Sequence, residues 1–130
     1  MTPPSSSAPP LSRLRVAVVG AGYVATHHLA ALSRLDFVDL VGLCDSHLDA
    51  AQVLAKRFGI ARVAATLGEL ADATPNVVYV LTPPASHATL AIQAMDMGCH
   101  VLVEKPMADS AADCEAMLAK AKATGLTLGV

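Results

Sequence analysis

The sequence is poor in aromatic and in charged side chains. None of its 130 residues is tryptophan, two are tyrosine, two are phenylalanine, and 15% are charged, whereas 54% are hydrophobic. The core must therefore be built from alanine, valine and leucine, and side chains this small suit helices that pack closely on a sheet. A chain of this length forms one domain with a sizeable core.

A strong charge of one sign and long apolar runs are missing too. The formal net charge is −2 and no basic patch stands out, so we expect no nucleic-acid partner and no membrane-surface role. No apolar run approaches the roughly 18 residues that span a bilayer, and the first residues lack the basic and then apolar pattern of a secretion signal. We therefore expect a cytoplasmic protein that does not enter a membrane.

The cysteines and histidines show no disulfide or metal-binding pattern. The three cysteines are odd in number and widely spaced, which argues against a disulfide framework and a zinc site. The five histidines are not placed as metal ligands with a nearby carboxylate, so we expect no metal. Cys44 lies inside an apolar run and is predicted to be a small buried hydrophobic residue.

Apolar runs alternate with helical patterns along the chain. Residues 1–12 are rich in proline and serine and are predicted to be a disordered tail, so residues 13–130 form the domain. Strands are predicted at 14–19, 38–44, 61–65, 76–81, 100–103 and 126–130. Helices are predicted at 23–35, at 48–58, from Ser86 to Gly98 and at 109–123, with a helical turn at 67–71. This alternation predicts an α/β fold, a doubly wound Rossmann sheet of parallel strands in the order 3-2-1-4-5-6.

A glycine turn joins the first strand to the first helix. Gly20 allows the tight turn, Gly22 lets the backbone approach a pyrophosphate, and Ala25 takes the third small position of a dinucleotide fingerprint. The phosphates would lie at the helix N-terminus, whose free N–H groups favour an anion. We therefore predict cofactor contacts at Gly20, Gly22, Tyr23 and Val24.

An acid follows the second strand at the spacing of a ribose-binding carboxylate. Asp45 lies 45 − 22 = 23 positions beyond Gly22, near the roughly 20 of dinucleotide-binding folds. It could instead cap the next helix. Because a carboxylate at this place would repel a 2′-phosphate, NAD is predicted as cofactor, with NADP as the alternative. His47, if charged, would soften that repulsion.

Two further segments end strands at the same sheet edge. Thr82–Pro84 follow the fourth strand, and Glu104–Pro106 follow the fifth. Ligands of open α/β sheets bind beyond the carboxyl ends of the strands, at the point where the strand order reverses. Both segments therefore belong with the glycine turn and Asp45 in one predicted site.

Four motifs in order make the sequence resemble the N-terminal domain of the Gfo/Idh/MocA oxidoreductases, from about Arg13 to Val130. They are GAGYVATHHLAAL from Gly20, the acid Asp45, TPPASH from Thr82 and EKP from Glu104. Ala25 replaces the more usual third glycine of that family.

The resemblance implies roles for the last two motifs. Lys105 is expected beside the nicotinamide and the substrate as the catalytic lysine, with Glu104 orienting it or its loop. Thr82 and Pro83 are expected to contact the cofactor on its nicotinamide side. His87 matches a common position of the family, where it would either contact the cofactor or pack at the start of a helix.

Members of that family are considerably longer and carry a C-terminal α/β domain that binds substrate. We therefore expect an NAD(P)-binding domain of an oxidoreductase that moves hydride between nicotinamide and a hydroxyl-bearing carbon of a sugar or cyclitol. The C-terminal substrate domain is absent from the sequence, so a truncated or split chain, inactive alone, is expected. The alternative is a non-enzymatic dinucleotide-binding sensor or docking module. The exposed edge of the sixth strand predicts self-association.

Overall fold

The computed structural model describes residues 13–130, and the predicted tail at residues 1–12 lies outside them. Six parallel strands form one sheet in the order β3-β2-β1-β4-β5-β6. This confirms the predicted fold and strand order. The strands are β1 Leu14–Val19, β2 Val38–Cys44, β3 Val63–Ala64, β4 Val77–Val80, β5 His100–Val103 and β6 Leu128–Gly129. The α-helices are α1 Tyr23–Leu32, α2 Leu48–Phe58, α3 His87–Asp96 and α4 Ala111–Thr124, and short 3₁₀ segments lie at Gly68–Ala73 and Pro84–Ser86.

Alternating side chains of β1 belong to two hydrophobic cores, one on each face of the sheet. Val16 and Val18 of β1 pack on the face that α1 and α2 cover, whereas Ala17 and Val19 pack on the face of α3 and α4. All four are buried, as expected for a strand covered on both faces. Over residues 13–130, none of the helices is long and apolar enough to cross a membrane.

Several elements are shorter than the sequence predicts. Helix α1 ends at Leu32 rather than at residue 35, and the Ser33 hydroxyl there donates a hydrogen bond to the carbonyl of Ala30 (2.8 Å). Strand β3 keeps two of five predicted residues, and β6 is Leu128–Gly129 only. At the end of α1 a local side-chain hydrogen bond accompanies the stop, which a hydrophobic pattern does not reveal.

One predicted helix cap forms, and another does not. Ser110 caps α4 by accepting a hydrogen bond from the Asp113 amide (3.1 Å), so of the two candidates Asp109 is not the cap. Ser86 precedes α3 but makes no capping bond, because its hydroxyl donates to the carbonyl of Pro83 (2.9 Å).

The carboxyl ends of four strands lie in register. Cys44, Val19, Val80 and Val103 face one another across β2, β1, β4 and β5. The residues that follow them, Asp45, Gly20, Leu81 and Glu104, continue this row, since their amides bond to carbonyls of neighbouring strands. With strands about 4.8 Å apart, Asp45 and Glu104 end up about 15 Å apart on one edge of the sheet.

Candidate functional site

Gly20 is required by the fold itself. Its φ is +110°, and a Cβ at this position would lie 2.8 Å from the carbonyl oxygen of Leu81. Few residues other than glycine adopt that backbone conformation, and real Cβ atoms do not come so close to backbone. The tight turn that the sequence predicts here therefore forms where β1 passes close to the end of β4.

Gly22 is different, because it borders open space. Its φ is −88°, which any residue adopts, and no atom lies within 4 Å of an ideal Cβ. It precedes the first residue of α1, whose first turn holds no acidic side chain and whose N-terminus has no side-chain cap. An unfilled volume thus borders backbone N–H groups and the positive end of the helix dipole, an arrangement suited to an anion.

Asp45 ties the glycine turn to the start of α2. Its Oδ2 accepts a hydrogen bond from the Ala21 amide (2.7 Å), and its Oδ1 accepts one from the His47 amide (2.8 Å). The His47 imidazole lies 3.5 Å from the same Oδ1 and is exposed to solvent. A carboxylate offers about four acceptor positions, so these bonds leave capacity for a ligand hydroxyl.

Two adjoining cavities open along this edge of the sheet. One has a volume of about 330 Å³ and is lined by Leu81 and by seven of the predicted cofactor contacts. These seven are Gly20, Gly22, Tyr23, Val24, Asp45, Thr82 and Pro83. The other, of about 560 Å³, shares Asp45, Thr82 and Pro83 with it and extends over Cys44, Leu67 and Leu90. The predicted cofactor contacts of the glycine turn, the acid and the Thr82 loop therefore surround one continuous crevice.

Cys44 lines the floor of that crevice as an inert side chain. It is buried, as the sequence predicts, and burial raises the pKa of its thiol to about 12, with the charges of Asp45 and Glu69 acting in the same direction. The thiol is therefore neutral at physiological pH and serves as a small hydrophobic contact.

His87 holds two loops beneath the crevice. The Nε2 of this completely buried ring lies 2.6 Å from the Thr82 carbonyl oxygen, and the Nδ1 lies 2.8 Å from that of Pro106. Of the two roles that the sequence leaves open, this placement corresponds to packing at the start of α3, since the ring has no exposed surface to offer a ligand.

Glu104 and Lys105 lie at the other end of the row. The Glu104 carboxylate contacts the His28 imidazole, with 3.1 Å between Oε2 and Nε2, rather than Lys105. Lys105 is exposed and borders a third cavity of about 350 Å³ with His28, Glu104 and Val130. Within residues 13–130 its ammonium group makes no hydrogen bond or ion pair with the protein, so it is free to meet a ligand.

The contact between His28 and Glu104 is not apparent from the sequence. The ring is half-buried, and it also packs edge-on against Tyr79, with 5.5 Å between ring centroids. One signal is present in the sequence: His28 follows Ala25 by three positions and adjoins Leu29, both buried, so it borders the inward stripe of the helix.

Comparison with known proteins gives this arrangement a family. The sequence model of the Gfo/Idh/MocA oxidoreductase family, described as having an NAD-binding Rossmann fold, matches residues 14–130. The solved structure of GenD2 from gentamicin A biosynthesis, in complex with NAD, superposes with a TM-score of 0.86 at 35% sequence identity, covering 99% of this chain and 36% of that one.

Curated enzymes show the same relationship. The 4-carboxy-2-hydroxymuconate-6-semialdehyde dehydrogenase of Sphingobium sp. (strain NBRC 103272 / SYK-6) is 38% identical over 114 residues, which cover 87% of this chain and 36% of that protein. The D-glucoside 3-dehydrogenase of Escherichia coli (strain K12) is 37% identical over 119 residues, covering 90% of this chain and 34% of that protein. The chain thus spans about a third of the length of these relatives. The chain belongs to the Gfo/Idh/MocA oxidoreductase family, and its residues 14–130 correspond to the family's NAD-binding Rossmann domain.

Proposed function

We propose that this chain binds NAD(H) in the crevice above its sheet and is the cofactor-binding part of an oxidoreductase that acts on a hydroxyl-bearing carbon of a sugar or cyclitol. The observation that carries the proposal is the aligned row of strand ends. It brings the glycine turn, Asp45 and the Lys105 loop to one edge of the sheet. The turn and Asp45 border the crevice, and Lys105 borders the third cavity.

Each part of the dinucleotide has residues of suitable chemistry in the proposed site. The pyrophosphate would lie over Gly22 and the first turn of α1, where N–H groups meet open space. Asp45 would accept hydrogen bonds from the adenosine ribose, with Tyr23 and Val24 beside the phosphates. Thr82 and Pro83 would contact the nicotinamide half.

Lys105 is the residue we propose for chemistry. When bound, NAD supplies a hydride acceptor, and the chain supplies the groups around it. The exposed ammonium group of Lys105, at the end of β5, would donate a hydrogen bond to the substrate oxygen and stabilise negative charge that develops there. Glu104, which His28 contacts, would hold the loop that carries Lys105.

Asp45 also supports NAD over NADP. Both oxygens of Asp45 hold backbone amides next to the place proposed for the ribose, so the carboxylate cannot easily turn away. A 2′-phosphate there would meet its negative charge at close range. The exposed His47 would soften that repulsion if charged, and Arg57 is the other cation in this stretch.

The substrate class rests on relatives. The Escherichia coli relative is by name a dehydrogenase of D-glucosides, and the Sphingobium relative one of a semialdehyde. The first name fits the proposed sugar class, whereas the second names an aldehyde and does not bear on a sugar or cyclitol. We also propose that the protein is cytoplasmic. The chain would self-associate through the outer side of β6, which lies at the end of the sheet.

Isothermal titration calorimetry of this chain with NAD tests the proposal, with Gly22→Val as the matched variant. Binding by the wild-type chain and its loss in a folded Gly22→Val chain are the expected results. Absence of heat from the wild-type chain at millimolar NAD would overturn the proposal. Turnover of a polyol or sugar by the same preparation would eliminate the alternative of a non-enzymatic sensor.

A further inference from the structure

The larger of the two adjoining cavities extends beyond Asp45, on the side away from the glycine turn. It shares Asp45 with the smaller cavity, but Gly22 does not line it, and it continues over Cys44, Leu67 and Leu90. A dinucleotide whose pyrophosphate lies over Gly22 and whose ribose meets Asp45 carries a base onward from that ribose. The base would therefore enter this part of the cavity.

The walls of the larger cavity suit a flat aromatic ring. Its volume is about 560 Å³, and Leu67, Leu90 and the neutral Cys44 thiol give it apolar surface. Apolar walls of this kind accept any purine, because every base has an apolar face. Selection of one base over another requires a group that hydrogen-bonds the edge of the ring.

Most hydroxyl groups around the cavity are already engaged with the protein. The Thr66 hydroxyl donates a hydrogen bond to Oε1 of Glu69 (2.9 Å). The hydroxyls of Thr82 and Ser86 lie 2.6 Å apart, in hydrogen-bonding contact with each other. These side chains therefore have partners before any ligand binds.

Gln93 is different, because its side-chain amide is unpaired. It lies half-buried on α3 and lines the cavity, and within residues 13–130 the amide makes no hydrogen bond. A Cβ on Gly68 would lie 3.4 Å from Nε2 of Gln93, so the amide lies against the 3₁₀ segment that follows β3. The two other polar side chains of the cavity, Ser46 and His47, are exposed and follow Asp45 directly, at the place proposed for the ribose.

A glutamine amide matches the edge of one purine in particular. Its oxygen accepts hydrogen bonds and its NH₂ group donates them. Adenine presents an amino donor at N6 beside a ring-nitrogen acceptor, so an amide can make two hydrogen bonds to it at once. A purine without the 6-amino group keeps the ring nitrogens but cannot donate to the amide oxygen.

We propose that Gln93 is a specificity-determining residue, whose side-chain amide hydrogen-bonds the 6-amino edge of the adenine base of NAD. The inference rests on the proposed function, because it requires a dinucleotide in the crevice. It adds a base-reading group at the far wall of the larger cavity, across from Asp45, and so assigns the cavity to an adenine nucleotide rather than to any purine nucleotide.

Calorimetry with two dinucleotides tests the proposal. Nicotinamide–purine dinucleotide is NAD without the 6-amino group. We expect the wild-type chain to bind NAD about fivefold more tightly than this analogue, the equivalent of one hydrogen bond. Gln93→Met keeps the length of the side chain and removes the amide, so it should bind the two dinucleotides within about twofold of one another.

Gln52→Met is the matched control. Gln52 is the other glutamine of the chain, exposed on α2 and outside the lining of the crevice, so its substitution should keep the fivefold preference. A wild-type chain that binds NAD but does not prefer it to the analogue would overturn the inference and leave the proposed function intact. A preference that persists in a folded Gln93→Met chain would overturn it as well.

NMR of the wild-type chain gives an answer that does not depend on the folding of a variant. The side-chain NH₂ signals of Gln93 should shift as NAD saturates the chain, whereas those of Gln52 should stay in place. Unmoved Gln93 signals at saturating NAD would overturn the inference alone. Absence of NAD binding altogether would overturn the proposed function, and the inference with it.

Discussion

The Nε2 of His28 and the Oε2 of Glu104 lie 3.1 Å apart, although 76 positions separate the two residues. The contact joins α1, the helix that starts at the glycine turn, to the segment that carries Lys105. The proposed pyrophosphate end and the proposed nicotinamide end of the site are thereby tied to one another by side chains as well as by the sheet.

A double-mutant cycle measures this contact. The two side chains are 27% and 33% exposed, so solvent screens the pair, and we expect a coupling of about 0.5–1 kcal/mol in the free energy of unfolding. The cycle uses His28→Asn, Glu104→Gln and the double variant, each unfolded in urea. Additive effects of the two substitutions would show that the pair contributes nothing.

Substitution of the two glycines of the turn should lower stability by different amounts. Gly20→Ala places a methyl group against the Leu81 carbonyl at a positive φ, so we expect it to lower the free energy of unfolding by more than about 2 kcal/mol. Gly22→Val meets no atom and should lower it by no more than about 1 kcal/mol.

For NAD affinity, substitution of Gly22 should have the larger effect. Gly22→Val fills the volume proposed for the pyrophosphate, and we expect at least about a tenfold loss of NAD affinity in a folded chain. Gly22→Ala, with a smaller side chain, serves as the graded control. Calorimetry on chains whose unfolding curves match supplies both numbers, and a folded Gly22→Val chain with unchanged affinity would refute the placement of the phosphates.

Asp45 should set the choice between the two cofactors. Asp45→Asn removes the charge and keeps a carbonyl oxygen for one of the two backbone amides. We expect the ratio of NADP to NAD affinity to rise by about tenfold, because the repulsion of a 2′-phosphate is relieved. The ratio is measured by titrating both cofactors, and an unchanged ratio would mean that Asp45 serves only to hold the loop.

Lys105 should be shielded by the cofactor. Its ammonium group is exposed and makes no polar contact with residues 13–130, so an amine-specific reagent should modify it readily in the free chain. Saturating NAD should slow that modification several-fold, as read by mass spectrometry of peptides. Lys56, exposed on α2 away from the crevice, is the internal control, and equal protection of both lysines would argue against the proposed site.

Buried thiols should make the fold sensitive to alkali. Burial raises the pKa of Cys44 from an ordinary 9.0 to about 12, and it raises the pKa of Cys99 and of Tyr79 in the same direction. Above about pH 9 these groups ionise in the unfolded chain before they ionise in the folded one, so stability is full below that pH and is lost as pH rises towards 12.

The Cys44→Ala variant tests this linkage. We expect its free energy of unfolding to fall less steeply with pH between about pH 8 and pH 11 than that of the wild-type chain. Val78→Ala, a buried truncation without an ionisable group, should lower stability at every pH and keep the wild-type slope. Parallel slopes for Cys44→Ala and the wild-type chain would contradict the linkage.

Local patterns are sufficient to predict the sheet and part of the site. The alternation of apolar runs with helical patterns predicts the strand order. The glycine turn and Asp45 each follow a predicted strand, so they are expected at one edge, because parallel strands end together. The sequence does not reveal that Ser86 bonds inside its own loop or that α1 stops at Leu32, since these depend on competing hydrogen bonds.

Contacts between residues far apart in the sequence cannot be predicted from local patterns, for another reason. Helical spacing places His28 at the border of a buried stripe, but its partner Glu104 follows from the packing of α1 on the sheet. His87 likewise reads as a helix-start residue, and only the folded chain brings the Pro106 carbonyl to its ring. Both contacts join segments that no periodicity connects.

One dinucleotide extending along the row of strand ends, from Asp45 to Lys105, is the central proposal for this chain. A titration of the ¹⁵N-labelled chain with NAD, followed by ¹H–¹⁵N correlation spectra, tests it most directly. We predict that the amide signals of Gly22, Thr82 and Lys105 shift together and give one dissociation constant. Saturable shifts confined to other parts of the chain, or no shifts at millimolar NAD, would contradict the proposal.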